Sequence, residues 1–294
     1  MKTISTALIT TIILTGCSSV SHQTPYTQHF PIMKTDTGHA YIYADVGAMT
    51  DFPLIIDTAA NMGVMPKTGM EEIQVPSDSL HEDSINGANG ASMMLKGEVP
   101  MLSLGHTTHE DVEHLFVDLS KFVLSDGRIP GILGHNVLEH HCVALDMQAS
   151  VMSLASPSCA GISKEGLQAV PFEIIDDFIQ FKASFNGQEV SAVLDTGAGK
   201  SFINSHAFSL LEDAQIAESD TASDLHGKEQ ETKTIENIHY QINHIDIDES
   251  IMAVADLSVF DVLGFKDEPF LLMGIHYFQD KKLVIDYKNQ VFYL

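Results

Sequence analysis

The sequence predicts an all-β fold built from two copies of one domain, on three observations. Apolar residues fall in short runs of strand length, at residues 40–46, 54–56, 98–104, 143–146, 178–185, 190–194, 284–287 and 291–294, each bounded by turn-forming residues. Asn186-Gly187 stands between two such runs, and both residue types tolerate the positive φ of a two-residue hairpin turn. Landmarks of the first half return in the second in the same order. Ile55-Ile56-Asp57-Thr58-Ala59-Ala60 matches Val193-Leu194-Asp195-Thr196-Gly197-Ala198 at a spacing of 138 residues. Ile132-Leu133-Gly134 matches Leu272-Met273-Gly274, Val143-Ala144-Leu145-Asp146 matches Leu283-Val284-Ile285-Asp286, and Ser153-Leu154 matches Tyr293-Leu294, all at 140. A repeat this long is a duplicated domain, not a solenoid unit.

Composition sets the outer bounds. The 294 residues carry 15 Lys and Arg against 40 Asp and Glu, a formal charge of −25, with 44% apolar residues. The apolar content is that of a globular chain, and the acidity argues against a nucleic-acid binder. Residues 1–16 hold one charged side chain, Lys2, ahead of an apolar stretch at 4–14 that is too short to span a bilayer as a helix. Leu14-Thr15-Gly16-Cys17 resembles the lipobox of bacterial lipoproteins. That resemblance implies cleavage before Cys17, acylation of its sulfur as the membrane anchor, and, with Ser18 following, residence in the outer membrane facing the periplasm. Residues 17–37 then read as a lipidated, solvated tether, 38–156 as the first domain, 157–165 as a Ser- and Gly-bearing joint and 166–294 as the second domain. Helical spacing is confined to brief stretches at 136–141 and 205–211.

The chemistry lies in the repeat. Each copy places an aspartate just after an apolar strand, followed by threonine and a small residue. A lone carboxylate is costly to bury, so two at equivalent positions call for an explanation. Brought together at the interface of a duplicated fold, they share one proton through like-charge repulsion. The ionised member then takes a proton from water while the protonated member donates to a carbonyl oxygen. The threonine hydroxyls can tie the two loops together, and the small third residue lets backbone approach closely.

These residues resemble the aspartic peptidases, in particular retropepsin-like domains, here joined in one chain as in pepsin. The resemblance rests on the duplicated Asp-Thr-(Gly/Ala)-Ala, on Gly87-Ala88-Asn89-Gly90, on Gly131-Ile132-Leu133-Gly134 before a short helix, and on the closing strands through Asp146 and Asp286. It implies two β-barrel lobes related by a pseudo-twofold axis. It also implies a catalytic pair Asp57 and Asp195 supported by Thr58, Thr196, Ala59 and Gly197, and a flap over extended polypeptide at Asn86, Gly87, Ala88, Asn89 and Gly90. The second copy offers Leu225-His226-Gly227-Lys228, poorer in glycine, at the corresponding place. A monomer is expected, since one chain supplies both aspartates, and no cofactor is required. Ala59 stands where the family most often has glycine, which leaves a second reading open: an envelope protein that uses the same cleft to bind peptides or a partner without cutting them.

Other features read more plainly. His135, His140 and His141 lie close together but lack any metal-site spacing, and are expected to be surface or helix-capping residues. Asp246, Asp248 and Glu249 read as the solvent-facing residues of a strand, and Asp146 and Asp286 as turn-forming acids. Cys142 and Cys159 are either a disulfide or two separate thiols.

Overall fold

The computed structural model describes residues 26–87, 90–212, 214–223 and 229–294. The signal segment, Cys17 and the first part of the tether lie outside them, as do Ala88, Asn89 and Leu225 to Lys228. Among the described residues no helix is long and apolar enough to cross a membrane.

The chain is mostly β. It opens with β1 (Tyr26–Pro31), and then runs through β2 (Met33–Lys34), β3 (Ala40–Val46), β4 (Met49–Ile56), β5 (Gly63–Pro66), β6 (His81–Gly87), β7 (Gly90–Leu104), β8 (Thr107–Val117) and β9 (Gly131–Leu133). After β10 (Cys142–Asp146), β11 (Val151–Ser156) and β12 (Ala169–Pro171) come β13 (Glu173–Ile175), β14 (Phe178–Phe185), β15 (Gln188–Asp195), β16 (Ser201–Ile203), β17 (Ile216–Ser223), β18 (Glu229–Ile242), β19 (Ile245–Val254) and β20 (Phe270–Gly274). β21 (Lys282–Asp286) and β22 (Val291–Tyr293) close the chain. Among the described residues four short α-helices interrupt the strands: α1 (Met70–Ile73), α2 (His135–Leu138), α3 (Ser205–Phe208) and α4 (Ser258–Val262).

Three sheets result. One eight-stranded sheet has the order β2-β3-β4-β9-β5-β8-β7-β6, and a second has β13-β14-β15-β20-β16-β19-β18-β17, the same order strand for strand. In each, a parallel pair carries the aspartate loop: β4 beside β9, with Ile56 opposite Leu133, and β15 beside β20, with Asp195 opposite Gly274. The third sheet, β1-β11-β10-β21-β22-β12, joins the two halves of the chain where β10 pairs antiparallel with β21, Ala144 opposite Val284 at its centre. Its residues Val143, Leu145, Leu283 and Ile285 belong to one apolar core that continues from the first half into the second.

Local chemistry accounts for the clearest elements. Asn186 (φ 48°) and Gly187 (φ 77°) form the turn between β14 and β15, where Phe185 faces Gln188. In β19 residues 245–248 alternate strictly between buried isoleucine and exposed aspartate. Asp146 and Asp286 accept backbone N–H bonds from Ala149 (2.9 Å) and Asn289 (3.2 Å), as turn-forming acids do.

Two expectations need correction. Residues 26–31, assigned above to the tether, form β1, paired antiparallel with β11 from Tyr26 opposite Ser156 to Pro31 opposite Val151, and Met33 and Lys34 pair with β3. Their polar composition hides a strand whose partner lies about 120 residues away in sequence. Glu249, read as solvent-facing, is buried to 2% exposure. The alternation that puts Ile245 and Ile247 inside puts position 249 inside too.

Candidate active site

Each aspartate sits at the end of a buried strand. The Asp57 N–H donates to the Leu133 carbonyl (3.1 Å), which fixes its loop to the end of β9. Behind it Thr58 and Thr196, both fully buried, cross between the two halves. The Thr58 hydroxyl donates to the Leu194 carbonyl (2.9 Å) and accepts from the Thr196 N–H (3.0 Å). The Thr196 hydroxyl donates to the Ile56 carbonyl (2.8 Å) and accepts from the Thr58 N–H (3.1 Å). Four reciprocal bonds therefore hold the two aspartate loops in register, with both threonine hydroxyls satisfied.

The carboxyl groups meet in front of this cross-tie. Asp57 and Asp195 hydrogen-bond side chain to side chain. One oxygen of Asp57 accepts from the N–H groups of both Ala59 and Ala60 (2.9 Å each), while one oxygen of Asp195 accepts from the Gly197 N–H (2.9 Å). Burial pushes both groups above the usual carboxylate range. For Asp195 the negative charge of Asp57 adds to burial and lifts it well above that range, whereas the N–H bonds from Ala59 and Ala60 and the bond with Asp195 counteract burial at Asp57. Asp195 is thus the member raised further, which is the direction expected when two adjacent carboxyls resist ionising together.

The third motif positions are not equivalent. A Cβ built on Gly197 would overlap the Asp57 carboxyl carbon and oxygen, so only glycine fits there. Ala59 instead packs its methyl group against the apolar cluster of Val193, Ala255, Leu257, Phe260, Phe270 and Leu272, and its N–H still reaches Asp57. Gly134 and Gly274 are held by crowding as well, since a Cβ at Gly134 would run into the backbone at residues 60, 62 and 63, and one at Gly274 into the backbone of Lys200. The His135 N–H to the Ala60 carbonyl (2.7 Å) and the Ile275 N–H to the Ala198 carbonyl (2.9 Å) tie these glycine turns to the aspartate loops.

Of the residues read as a flap, Asn86 and Gly87 end β6, and Gly90 begins β7 directly opposite Gly87. Ala88 and Asn89 lie outside the described residues. Lower in the hairpin, Ile85 packs against a cluster that includes Val64, Met94 and Ile132, and α4 of the second half rests against β6. β17 and β18 form a second long hairpin, paired as far as Ser223 opposite Glu229, so the glycine-poor copy also carries this element.

Cys142, at the start of β10, is bonded to Cys159 with their Cα atoms 5.1 Å apart. His135 and His141 are not surface residues: they are 1% and 5% exposed, and the N-cap position of α2 belongs to Gly134. His135 lies edge-on to Tyr287, 5.3 Å between ring centroids, because α2 folds back under the aspartate loop.

One polar group near this site escaped the sequence reading. Glu249 on β19 accepts from the Tyr240 hydroxyl (3.1 Å) and bonds Ser201, whose hydroxyl accepts the Gly274 N–H (2.9 Å) opposite Asp195. Burial lifts its carboxyl to about 7. The period of two in β19 was the available signal.

Residues 44–137 match a family model described as aspartyl protease. The match covers less than half of the chain; it includes Asp57 and the turn Gly131 to Gly134 and stops before Asp195. A comparison with curated proteins returned no significant match.

Proposed function

We propose that this chain is an aspartic endopeptidase in which two retropepsin-like lobes, related by duplication, contribute Asp57 and Asp195 to one catalytic pair. Asp57 takes a proton from a water molecule, Asp195 donates its proton to the scissile carbonyl oxygen, and the water oxygen attacks the carbonyl carbon. Collapse of the resulting diol breaks the C–N bond as Asp57 passes its acquired proton to the amine and a diol hydroxyl returns a proton to Asp195. The hairpins β6–β7 and β17–β18 close over an extended polypeptide.

The observation that carries this reading is the cross-tied pair itself: two half-buried carboxyls set side chain to side chain, held by reciprocal threonine bonds and both raised above the usual carboxylate range. The identical strand order of the two eight-stranded sheets supports the duplication, and the family match over residues 44–137 supports the peptidase class. Ala59 packs against an apolar cluster while its N–H still reaches Asp57, which supports the cutting reading over a non-cutting peptide binder. We further propose that the protein is an envelope lipoprotein anchored through Cys17, which radiolabelled palmitate incorporation lost in Cys17→Ser would test.

The decisive experiment incubates the full chain and its Asp57→Asn and Asp195→Asn variants with a diverse peptide library. Cleavage by the parent alone is expected. Equal products from all three proteins, or none from any, would defeat the proposal. Activity should fall at low pH as Asp57 takes up a proton and at high pH as Asp195 loses one, with the upper limb displaced upward because burial and the Asp57 charge raise Asp195.

A further inference from the structure

The turn between β2 and β3 belongs to the first half of the chain and sits on the second. It closes on Thr35: the Gly38 N–H donates to the Thr35 carbonyl (2.9 Å), the His39 N–H to the Thr35 hydroxyl (3.0 Å) and the Thr35 N–H to the His39 carbonyl (3.0 Å). Gly38 takes a left-handed φ of 86°, which glycine adopts without strain, and its carbonyl accepts from the Gln279 side chain (2.7 Å). The Lys34 ammonium group donates to the Gln279 carbonyl (3.2 Å). The turn is thereby fastened to the second half shortly after the Gly274 turn.

His39 reaches from here to the second aspartate loop. Its Nδ1 pairs with the Thr37 hydroxyl (2.7 Å), which turns the opposite edge of the ring toward the loop backbone. There the ring donates to the Gly197 carbonyl, and a Cβ built on Gly199 would come within 3.4 Å of its Cε1 and Nε2 atoms. With the Thr37 hydroxyl donating to Nδ1, the ring donor is Nε2. Burial holds His39 below the ordinary imidazole range, so near pH 7 the ring is neutral and a single ring N–H serves this bond. Gly197 touches both carboxyls: its N–H bonds Asp195 (2.9 Å), and the Asp57 carboxyl occupies the place of its missing side chain. The Gly197 carbonyl shares a peptide unit with the Ala198 N–H, which also bonds the Asp195 carboxyl.

The second half returns the arrangement. Its turn between β13 and β14 carries Asp176, whose carbonyl accepts from the Asn61 side chain (3.0 Å), and Asn61 aligns with Gly199 at the spacing of the two aspartate motifs. Each half therefore lays a turn on the other's aspartate loop. We propose that His39 is a positioning residue for the second of these loops, fixing through its ring N–H on the Gly197 carbonyl the peptide whose Ala198 N–H faces Asp195. A donor on a peptide carbonyl polarises the N–H of the same unit, so the bond from Ala198 to the Asp195 carboxylate strengthens. The effect on turnover rests on the peptidase function proposed above, whereas the effect on Asp195 does not.

The test compares the full chain with His39→Phe, which keeps an aromatic ring without a donor, and His39→Gln, whose amide N–H reaches about as far as Nε2. In peptide cleavage, His39→Phe should lower kcat by about 10-fold or more with KM within a few-fold, and His39→Gln should return kcat to within about 3-fold of the parent. In parallel the Asp195 carboxyl is titrated by carbon NMR, with Asp195→Asn identifying its signal. His39→Phe should move that titration to higher pH by about 0.3 or more, because the charged form loses a strengthened N–H donor, and His39→Gln should restore it. Should His39→Phe not fold, His39→Met supplies the arm without a donor. An Asp195 titration unchanged in the variant without a donor would overturn the proposal, as would a glutamine variant that behaves like it, the result expected of ring packing alone. A parent that cleaves nothing defeats the peptidase function, and the titration then decides the role of His39 by itself.

Discussion

At the scale of single residues, the third positions of the two Asp-Thr motifs show how unequal a repeated sequence becomes once folded. Ala59 and Gly197 are aligned copies, yet one methyl group has an apolar pocket and the other would occupy the Asp57 carboxyl. Gly197→Ala is therefore expected to lower kcat by about 100-fold or more, as sub-ångström misplacement of reacting groups does, while Ala59→Gly stays within a few-fold of the parent. Comparable losses in both variants would contradict this. Glu249 gives a pH prediction. Its folded value of about 7 lies above the ordinary 4.5, so the native state holds a proton that the unfolded chain releases. That stability is fully present below pH 4.5, is lost as the pH rises to about 7, and is flat above. Glu249→Gln should remove this decline, worth on the order of 3 kcal/mol, in urea unfolding curves at pH 4.5 and pH 8. A parent and variant with the same pH dependence would sink the assignment. The sequence displayed both residues, and showed neither the pocket for Ala59 nor the depth of β19, because each depends on strands remote in the chain.

At the scale of elements, the threonine cross-tie couples two loops that share no strand. Removing either hydroxyl strands a buried N–H and a buried carbonyl of the opposite loop, at a cost of about 1–3 kcal/mol for each unsatisfied group. Thr58→Val and Thr196→Val should each destabilise the protein measurably. The double variant should lose less than the sum of the two, because the bonds form one network. Additive losses in denaturant midpoints would show two independent caps instead. Elements with local determinants were legible beforehand. The Asn186-Gly187 turn follows from the φ preferences of two adjacent residues, and α2 and α3 from brief helical spacing, whereas α1 and α4 gave no such signal. β1 was not legible, since Tyr26, Gln28 and His29 look like solvated linker until β11 presents its edge.

At the scale of the whole molecule, the halves are joined more firmly than a linker would join them. β10 and β21 pair over five residues, and one apolar core runs through the sheet they share. The Cys142–Cys159 bridge ties β10 to the joint at 157–165, so it does not fasten the second half covalently. A specific protease site engineered into residues 163–166 and then cut should leave both fragments co-eluting under native conditions and separating only in denaturant. Separation without denaturant would show that the shared sheet contributes little.

The sequence by itself determined the β character, the repeat and its spacing, and the two aspartates with their threonines, because each depends on residue type and on periodicity along the chain. Tertiary structure alone decided which carboxyl is raised further above its ordinary range, why glycine is obligatory at position 197 and not at 59, and that His109 meets His141. Those outcomes depend on distances between atoms brought together by strand pairing, and desolvation, overlap and hydrogen bonding are functions of such distances rather than of spacing along the chain.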